Sequence, residues 1–372
     1  MRRMRRILLI TLPALVFVSL IVGMSALAML SRFELALPGR VLTFPKDHAS
    51  HPTFQTEWWY YTGHLRTADG EEYGYQLTFF RRRVDEGHVL AAPSRWSPQH
   101  LYLAHFAISD KGRQRFSYTE KINRPSLGIA GAAEGRYHVW NDDWRAELVG
   151  PYQHLHAQMD GYGINLILLP DKGPVVHGIN GVSQKGERKG QASYYYSFTR
   201  LKTDGLLYVG EVAREVTGVS WMDHEFGSSQ LGPMQVGWDW FSVQLDSRTE
   251  LMVYLMRQAA GRVDPYSSGT VVHPDGRAEH LSKDAFEVVA LGRWTSPRSG
   301  ATYPQGWELR MPRVGLNLRI TPIFSDQELD TKNSTRVVYW EGSVTVEGTH
   351  SGQPVRGLGY VELVGYKTKI DL

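Results

Sequence analysis

The chain has 372 residues, with 41 Lys and Arg against 38 Asp and Glu, and no cysteine. Disulfides, a cysteine nucleophile and thiolate metal sites are therefore excluded. The formal net charge is +3, and Arg2, Arg3, Arg5 and Arg6 more than account for it, so the remainder is near neutral or slightly acidic, which argues against a nucleic-acid surface.

Residues 1–30 read as a targeting or anchoring segment. Behind the arginines, Ile7 to Leu30 is almost wholly apolar, broken only by Thr11, Pro13, Ser19, Gly23 and Ser25. Positive residues stay in the cytoplasm, so the rest of the chain is expected to be translocated. Ala26-Leu27-Ala28 has the form of a small-residue cleavage site. The apolar run is also long enough to span a bilayer, and its length favours an uncleaved anchor over a signal peptide. The expected location is the periplasmic side of the cell envelope. Residues 31–50, with Pro38, Gly39 and Pro45, read as a linker.

From Glu57 the pattern is that of β structure. EWWYYTGHLRT, ADG and EEYGYQLTFFRRR spell a hairpin; LYLAHFAIS, DKG and RQRFSYTEKI spell a second. His64 shares a strand face with Trp58, Tyr60 and Thr62. This mixed aromatic and polar face suits a ligand-holding barrel interior, although a histidine there is more often a hydrogen-bonded core residue. Arg81-Arg82-Arg83 is expected to be solvated at a strand end; its sharper reading is contact with anionic lipid headgroups. YHVWNDDWRAELVG, YQHLHAQMDGYGINLILL and SYYYSFTRLKTDGLLYVGEV continue the style, with no sustained helical period. Short strands joined by Gly-rich turns indicate an all-β sandwich or barrel. A loose echo between YTGHLRTADGEEYGYQLTFF and YWEGSVTVEGTHSGQPVRGLGYVELVGY suggests two barrels of one architecture, expected over 51–216 and 217–372.

The stretch Thr217 to Arg257 gathers aromatic and ionisable residues most densely. By strand alternation Trp221, Asp223 and Glu225 share one face, with Met222, His224 and Phe226 opposite. Two carboxylates on one face suit acid–base chemistry, each raising the other's pKa. Further on, Trp238, Trp240, Ser242 and Gln244 share a face, with Asp239, Phe241, Val243 and Leu245 on the other. If that second face is buried, Asp239 becomes a proton donor held neutral by its apolar neighbours. The plainer reading is an Asp239–Arg pair with a structural role. No metal site is expected, because adjacent residues such as His224 and Glu225 point apart in a strand and no H-E-x-x-H occurs. Nucleophile elbows, phosphate loops and dinucleotide fingerprints are absent, so no nucleotide or nicotinamide cofactor is expected.

Taken in order, EWWYYTGHL, YGYQLTFFR, SWMDHEFGSSQL, GWDWFSVQL with ELMVYLMR, and YWEGSVTVEG with GYVELVGY resemble the AttH-like proteins. That family is grouped with the carotenoid 1,2-hydratases and often labelled secreted hydrolases. The resemblance covers His51 to Tyr366. It implies two consecutive lipocalin-like β-barrels, a type that holds hydrophobic ligands. The hydratase relatives add water across the terminal double bond of an acyclic carotenoid without a cofactor. Such chemistry needs an acid for the alkene, aromatic faces for the carbocation and a water to capture it. The resemblance offers Asp239 or Asp223 as the acid, and Glu225 or His224 to orient the water. Trp221, Trp238, Trp240 and Tyr254 supply aromatic faces, and Trp58, Tyr60, His64 and Arg257 complete the ligand-binding set. AttH-type proteins look like companions of export permeases, which implies an ABC-type permease and the membrane as partners. The leading expectation is an exported protein that binds a hydrophobic lipid or isoprenoid and hydrates or hydrolyses it without a cofactor. A non-catalytic lipid carrier and a structural interaction module are the alternatives.

Overall fold

A computed structural model describes residues 33–84, 99–259 and 261–370. The targeting segment expected at 1–30 lies outside the described residues. The chain divides into a unit ending at Glu34 and a second, Leu35–Leu372, to which every described strand belongs.

The described residues form two antiparallel sheets and no α-helix. Both sheets curl, one into a nearly closed barrel and the other into a half-barrel. The 13-stranded sheet has Thr56–Thr67 at its centre, between Glu72–Arg83 and Val212–Ser229, with Ala192–Val209 beyond the latter. The 10-stranded sheet centres on Gln235–Leu245, between Glu250–Gln258 and Gln353–Val364, with Val337–His350 beyond the latter. Strand alternation sorts the side chains. Trp59, Tyr61 and Leu65 enter the core of the first barrel with Met222, Tyr196 and Phe198. Phe241, Val243 and Leu245 enter the core of the second with Trp307 and Trp340. The intervening residues form a third apolar cluster, which includes Tyr60, Tyr195, Trp221, Trp240, Tyr254 and Tyr360. These residues come from both sheets, so the outer faces meet and the third cluster is the seam between them.

Three local expectations change. The boundary at 216/217 falls inside Val212–Ser229, which pairs with first-sheet strands along its whole length. Gly218, just past that expected boundary, lies within the strand: a Cβ there would lie 1.9 Å from the His64 carbonyl oxygen, so glycine permits close strand contact. The chain changes sheet between Ser229 and Gln235, at Gly232-Pro233. The stretch expected as linker is built into the first barrel from Leu35 onward. Leu37 N donates to the Tyr194 hydroxyl at 3.1 Å, Ser50 N donates to Ala133 O at 2.9 Å, and Asp47 accepts from Thr43 N at 2.6 Å. Its prolines and glycine therefore shape an ordered strap anchored to the barrel by these hydrogen bonds.

The third change concerns Arg81, expected to be solvated. Arg81 is fully buried and opposite Glu57 in register, and its Nε donates to Glu57 Oε2 at 3.0 Å.

Candidate functional site

Register builds the seam. On the outer face of the first sheet, Tyr60 stands opposite Asp223, and Asp223 opposite Ser197. The next row places Trp58 beside Glu225 and Glu225 beside Tyr195. On the facing sheet, one row runs Tyr254, Trp240, Glu362, Glu341 across four strands. Between the rows lies a cavity of about 560 Å³, lined by Trp58, Tyr60, Tyr195, Trp238, Trp240 and Tyr254 among others. That volume suits a small organic ligand, for which pockets run to roughly 300–1,000 Å³.

Asp223 projects into this cavity and is fully supplied with donors. Its Oδ2 accepts from the Tyr195 hydroxyl at 2.6 Å, and its Oδ1 from Trp221 Nε1 at 2.5 Å and from the Ser197 hydroxyl. Trp240 Nε1 in turn donates to the Tyr195 oxygen at 3.0 Å, tying the second sheet to the acid. Burial pushes the Asp223 carboxyl up to about 7; its hydrogen bonds oppose the rise and the charge of Glu225 adds to it. Glu225 accepts from the Ser193 hydroxyl and pairs with Lys185 Nζ at 3.1 Å. Burial opposes the charge on Lys185, but Glu225 and its other neighbours prevail and raise its pKa. The ammonium also sits 4.0 Å from the centre of the Tyr254 ring.

Across the cavity, Glu362 lines the opposite wall, with Glu341 buried beside it on the neighbouring strand. Burial brings Glu362 to about 7, and it accepts from Trp238 Nε1 at 2.6 Å. Glu341, its cross-strand neighbour, is raised far above the carboxylate range by burial and the charge of Glu362, and accepts from the Tyr60 hydroxyl at 2.7 Å. The other oxygen of Glu341 has no hydrogen-bond partner among the described residues. A neutral Glu341 carboxyl is the form that a buried site tolerates.

The structure thus brings together Trp58, Tyr60, Asp223, Glu225, Trp238, Trp240 and Tyr254 as cavity walls. Trp221 stands behind Asp223 as a donor. The other expected site residues lie elsewhere. Asp239 is not part of the wall: Arg257 Nε donates to it at 2.8 Å and the Tyr366 hydroxyl at 3.0 Å. Burial raises the Asp239 carboxyl, against Arg257, which lowers it. Arg257 is itself spent on Asp239 and on the Tyr366 ring, 3.7 Å away. His64 is on the seam but packed beside Gly359 O at 3.1 Å, and burial lowers it to about 4. The face it shares with Trp58 and Tyr60 is the outside of the barrel, not its interior. His224 points the other way, into the first barrel, where its Nε2 lies 2.9 Å from Glu57 Oε1.

His51, Glu57 and His224 place their donor atoms within 4.8 Å of one another. They do not suit a metal ion. Both imidazoles already rest at hydrogen-bond distance from Glu57, and the buried Arg81 guanidinium supplies the positive charge there. The group reads as a buried ionic strut that fixes Thr56–Thr67 against its neighbours.

Lys185, Tyr195, Glu341 and Glu362 do not stand out in the sequence. Tyr195 and Glu362 nevertheless carry a usable pattern. In SYYYSF, alternation sets Tyr195 apart from Tyr194 and Tyr196, and in GYVELV one carboxyl interrupts an apolar run, as Asp239 does in GWDWFSV.

An AttH-like family model matches residues 35–366. The fold superposes on the crystal structure of an AttH protein from Nitrosomonas europaea with a TM-score of 0.81 and 33% identity, covering 90% of this chain and 100% of that one. It also superposes on kievitone hydratase from Nectria haematococca, with a TM-score of 0.68 and 15% identity over 91% of this chain and 98% of that one. By sequence, 153 residues are 25% identical to kievitone hydratase of Fusarium solani subsp. phaseoli, a match that spans 39% of this chain and 40% of that enzyme. The chain belongs to the AttH-like family.

Proposed function

We propose that the seam cavity is the active site of a cofactor-independent hydratase acting on an unsaturated hydrocarbon chain, of the isoprenoid kind. The observation that carries this reading is Asp223: a buried carboxyl brought to about 7 and turned into an aromatic cavity. The similarity to kievitone hydratases supports the reaction class.

In this reading the Asp223 carboxyl gives its proton to one alkene carbon, and the π electrons form the new C–H bond. The positive charge left on the other carbon faces Trp58, Trp240 and Tyr254, whose ring faces stabilise it. Water forms the C–O bond and passes its extra proton to Glu225, held beside Lys185. Return of that proton to Asp223 closes the cycle, so the alkene gains one water and no oxidant or reductant is needed. Tyr195 and Ser197 keep Asp223 aimed at the cavity throughout. The arginine-led apolar segment at 1–30 supports a further proposal, that the reaction takes place on the periplasmic side of the envelope; membrane fractionation of the full-length protein checks it.

The test is incubation with acyclic isoprenoids and prenylated phenols in 18O-labelled water. A tertiary alcohol carrying the label is expected, with turnover reduced about 10²–10⁴-fold in Asp223→Asn. No labelled product from any substrate, or full activity in Asp223→Asn, overturns the reading.

A further inference from the structure

The cavity is not walled alike at both ends. The end beside Asp223 is aromatic and acidic. At the other end the lining is Leu101, Leu103 and Ile122, together with Arg82, Ser334 and Arg336. Arg81 and Arg82 both border the cavity, but Arg81 is fully buried and consumed by Glu57 and the carbonyls of His51 and Phe54, whereas Arg82, on the opposite strand face, is half-buried and keeps its guanidinium free of such partners among the described residues. Arg82 is half-buried and Arg336 exposed, and neither guanidinium has an ion-pair partner among the described residues. A half-buried cation without a counter-ion is costly, and burial already lowers the Arg82 pKa. Arg336 adopts a φ of 62°, uncommon for a residue other than glycine. Glu120, the carboxylate beside this loop, is engaged by Asn333 N at 3.2 Å and Ser334 N at 2.9 Å. His105, also in the lining, is held neutral by burial and lies 2.8 Å from the Tyr339 hydroxyl and 2.9 Å from that of Ser334.

We infer that the ligand is an anionic amphiphile, its carboxylate or phosphate head on Arg82 and Arg336 and its unsaturated tail running past Trp58 to Asp223. This rests on the hydratase reading for the tail and adds the head. Arg82 is the register partner of Thr56, and Asp223 that of Tyr60. Four residues along the strand and two strand spacings across therefore separate them, roughly 16 Å along the sheet. The site accordingly selects a head and a reactive double bond separated by about that reach.

The experiment uses the full-length protein with oleate, oleyl phosphate and oleyl alcohol, which share one tail, and follows quenching of its tryptophan fluorescence. Oleate or oleyl phosphate is expected to bind about tenfold more tightly than oleyl alcohol, as a charge-assisted pair would give. The gap should shrink with added salt. The stronger of the two anions identifies the head as carboxylate or phosphomonoester. Arg82→Gln, with Arg336→Gln added, should close the gap while oleyl alcohol binds as before and the melting temperature is kept. Equal affinity for alcohol and anions, or a gap that survives both substitutions, overturns the inference and leaves the cavity reading standing. Failure of all three probes to bind overturns both. Preferential anion binding, with no labelled product from the isoprenoid and prenylated-phenol substrates in 18O-labelled water, keeps the head-group site and removes the hydratase.

Discussion

Burial brings Asp223 and Glu362, on opposite walls of one cavity, to about 7, well above the ordinary carboxylate range. An acid that must donate loses competence as pH rises through that value, so turnover should fall across pH 7 and be retained below it. Folding is linked to the same protons. Each group binds its proton more tightly folded than unfolded, so the folded state holds extra protons between about pH 4 and 7, and their contribution to stability declines as pH climbs through that window. Buried histidines such as His64, whose pKa burial lowers, pull the other way over part of this window, so the readout is a difference: the melting temperature of wild type minus that of Asp223→Asn, measured from pH 4.5 to 8, should fall as pH rises. A difference that stays level would place the titration elsewhere. Glu341 stays protonated through the same range because burial and the neighbouring Glu362 hold its pKa far higher.

The strand Thr56–Thr67 shows how an element divides its work. Trp59 is 1% exposed in the barrel core, whereas Trp58 is half-buried on the cavity wall. Trp59→Ala should therefore cost about 3–5 kcal/mol of stability. Trp58→Ala should cost far less and chiefly weaken ligand binding. Urea unfolding with tail-ligand titration on both variants separates the roles; equal destabilisation would contradict the division. Alternation in EWWYYTGHL makes these two faces legible, and the same rule places Asp223 and Glu225 together. It cannot tell which face meets the second sheet, so sequence alone puts the mixed aromatic face inside a barrel. Asp239 misleads for a related reason. Its apolar neighbours are legible, but Arg257 and Tyr366 reach it from a paired strand and from beyond the last strand. The Glu362–Glu341 pairing likewise depends on register between distant segments, which no local pattern records.

At the scale of the whole molecule, the two sheets are held by polar contacts as much as by apolar ones. Glu250 of the second sheet is fully buried and accepts from Lys172 Nζ at 2.6 Å and Arg200 Nε at 2.6 Å, both from the part of the chain that carries the first sheet. Glu250→Ala would strand the ammonium of Lys172 in a nearly dry site and should cost about 3–5 kcal/mol. The unfolding midpoint should drop accordingly, with loss of ligand-induced quenching in the same transition; a midpoint near wild type would show that the sheets do not depend on this pair. Gln244 Nε2 donates to Thr199 O at 2.8 Å and Ser220 O at 3.0 Å, adding to the same join. At Gly74 the sheets approach closely, since a Cβ there would stand 2.6 Å from the Tyr360 hydroxyl. The all-β class and the two-sheet plan are legible in turns and periodicity. The seam is not, because it arises only when two outer faces dock.

That docking separates two kinds of inheritance along each strand. Positions such as Trp59, Tyr61 and Met222 answer to the packing of a barrel, while Trp58, Tyr60 and Asp223 answer to whatever occupies the seam. Descendants of one ancestor can therefore diverge in ligand by drifting at every second residue, leaving the intervening ones as a shared record of the fold.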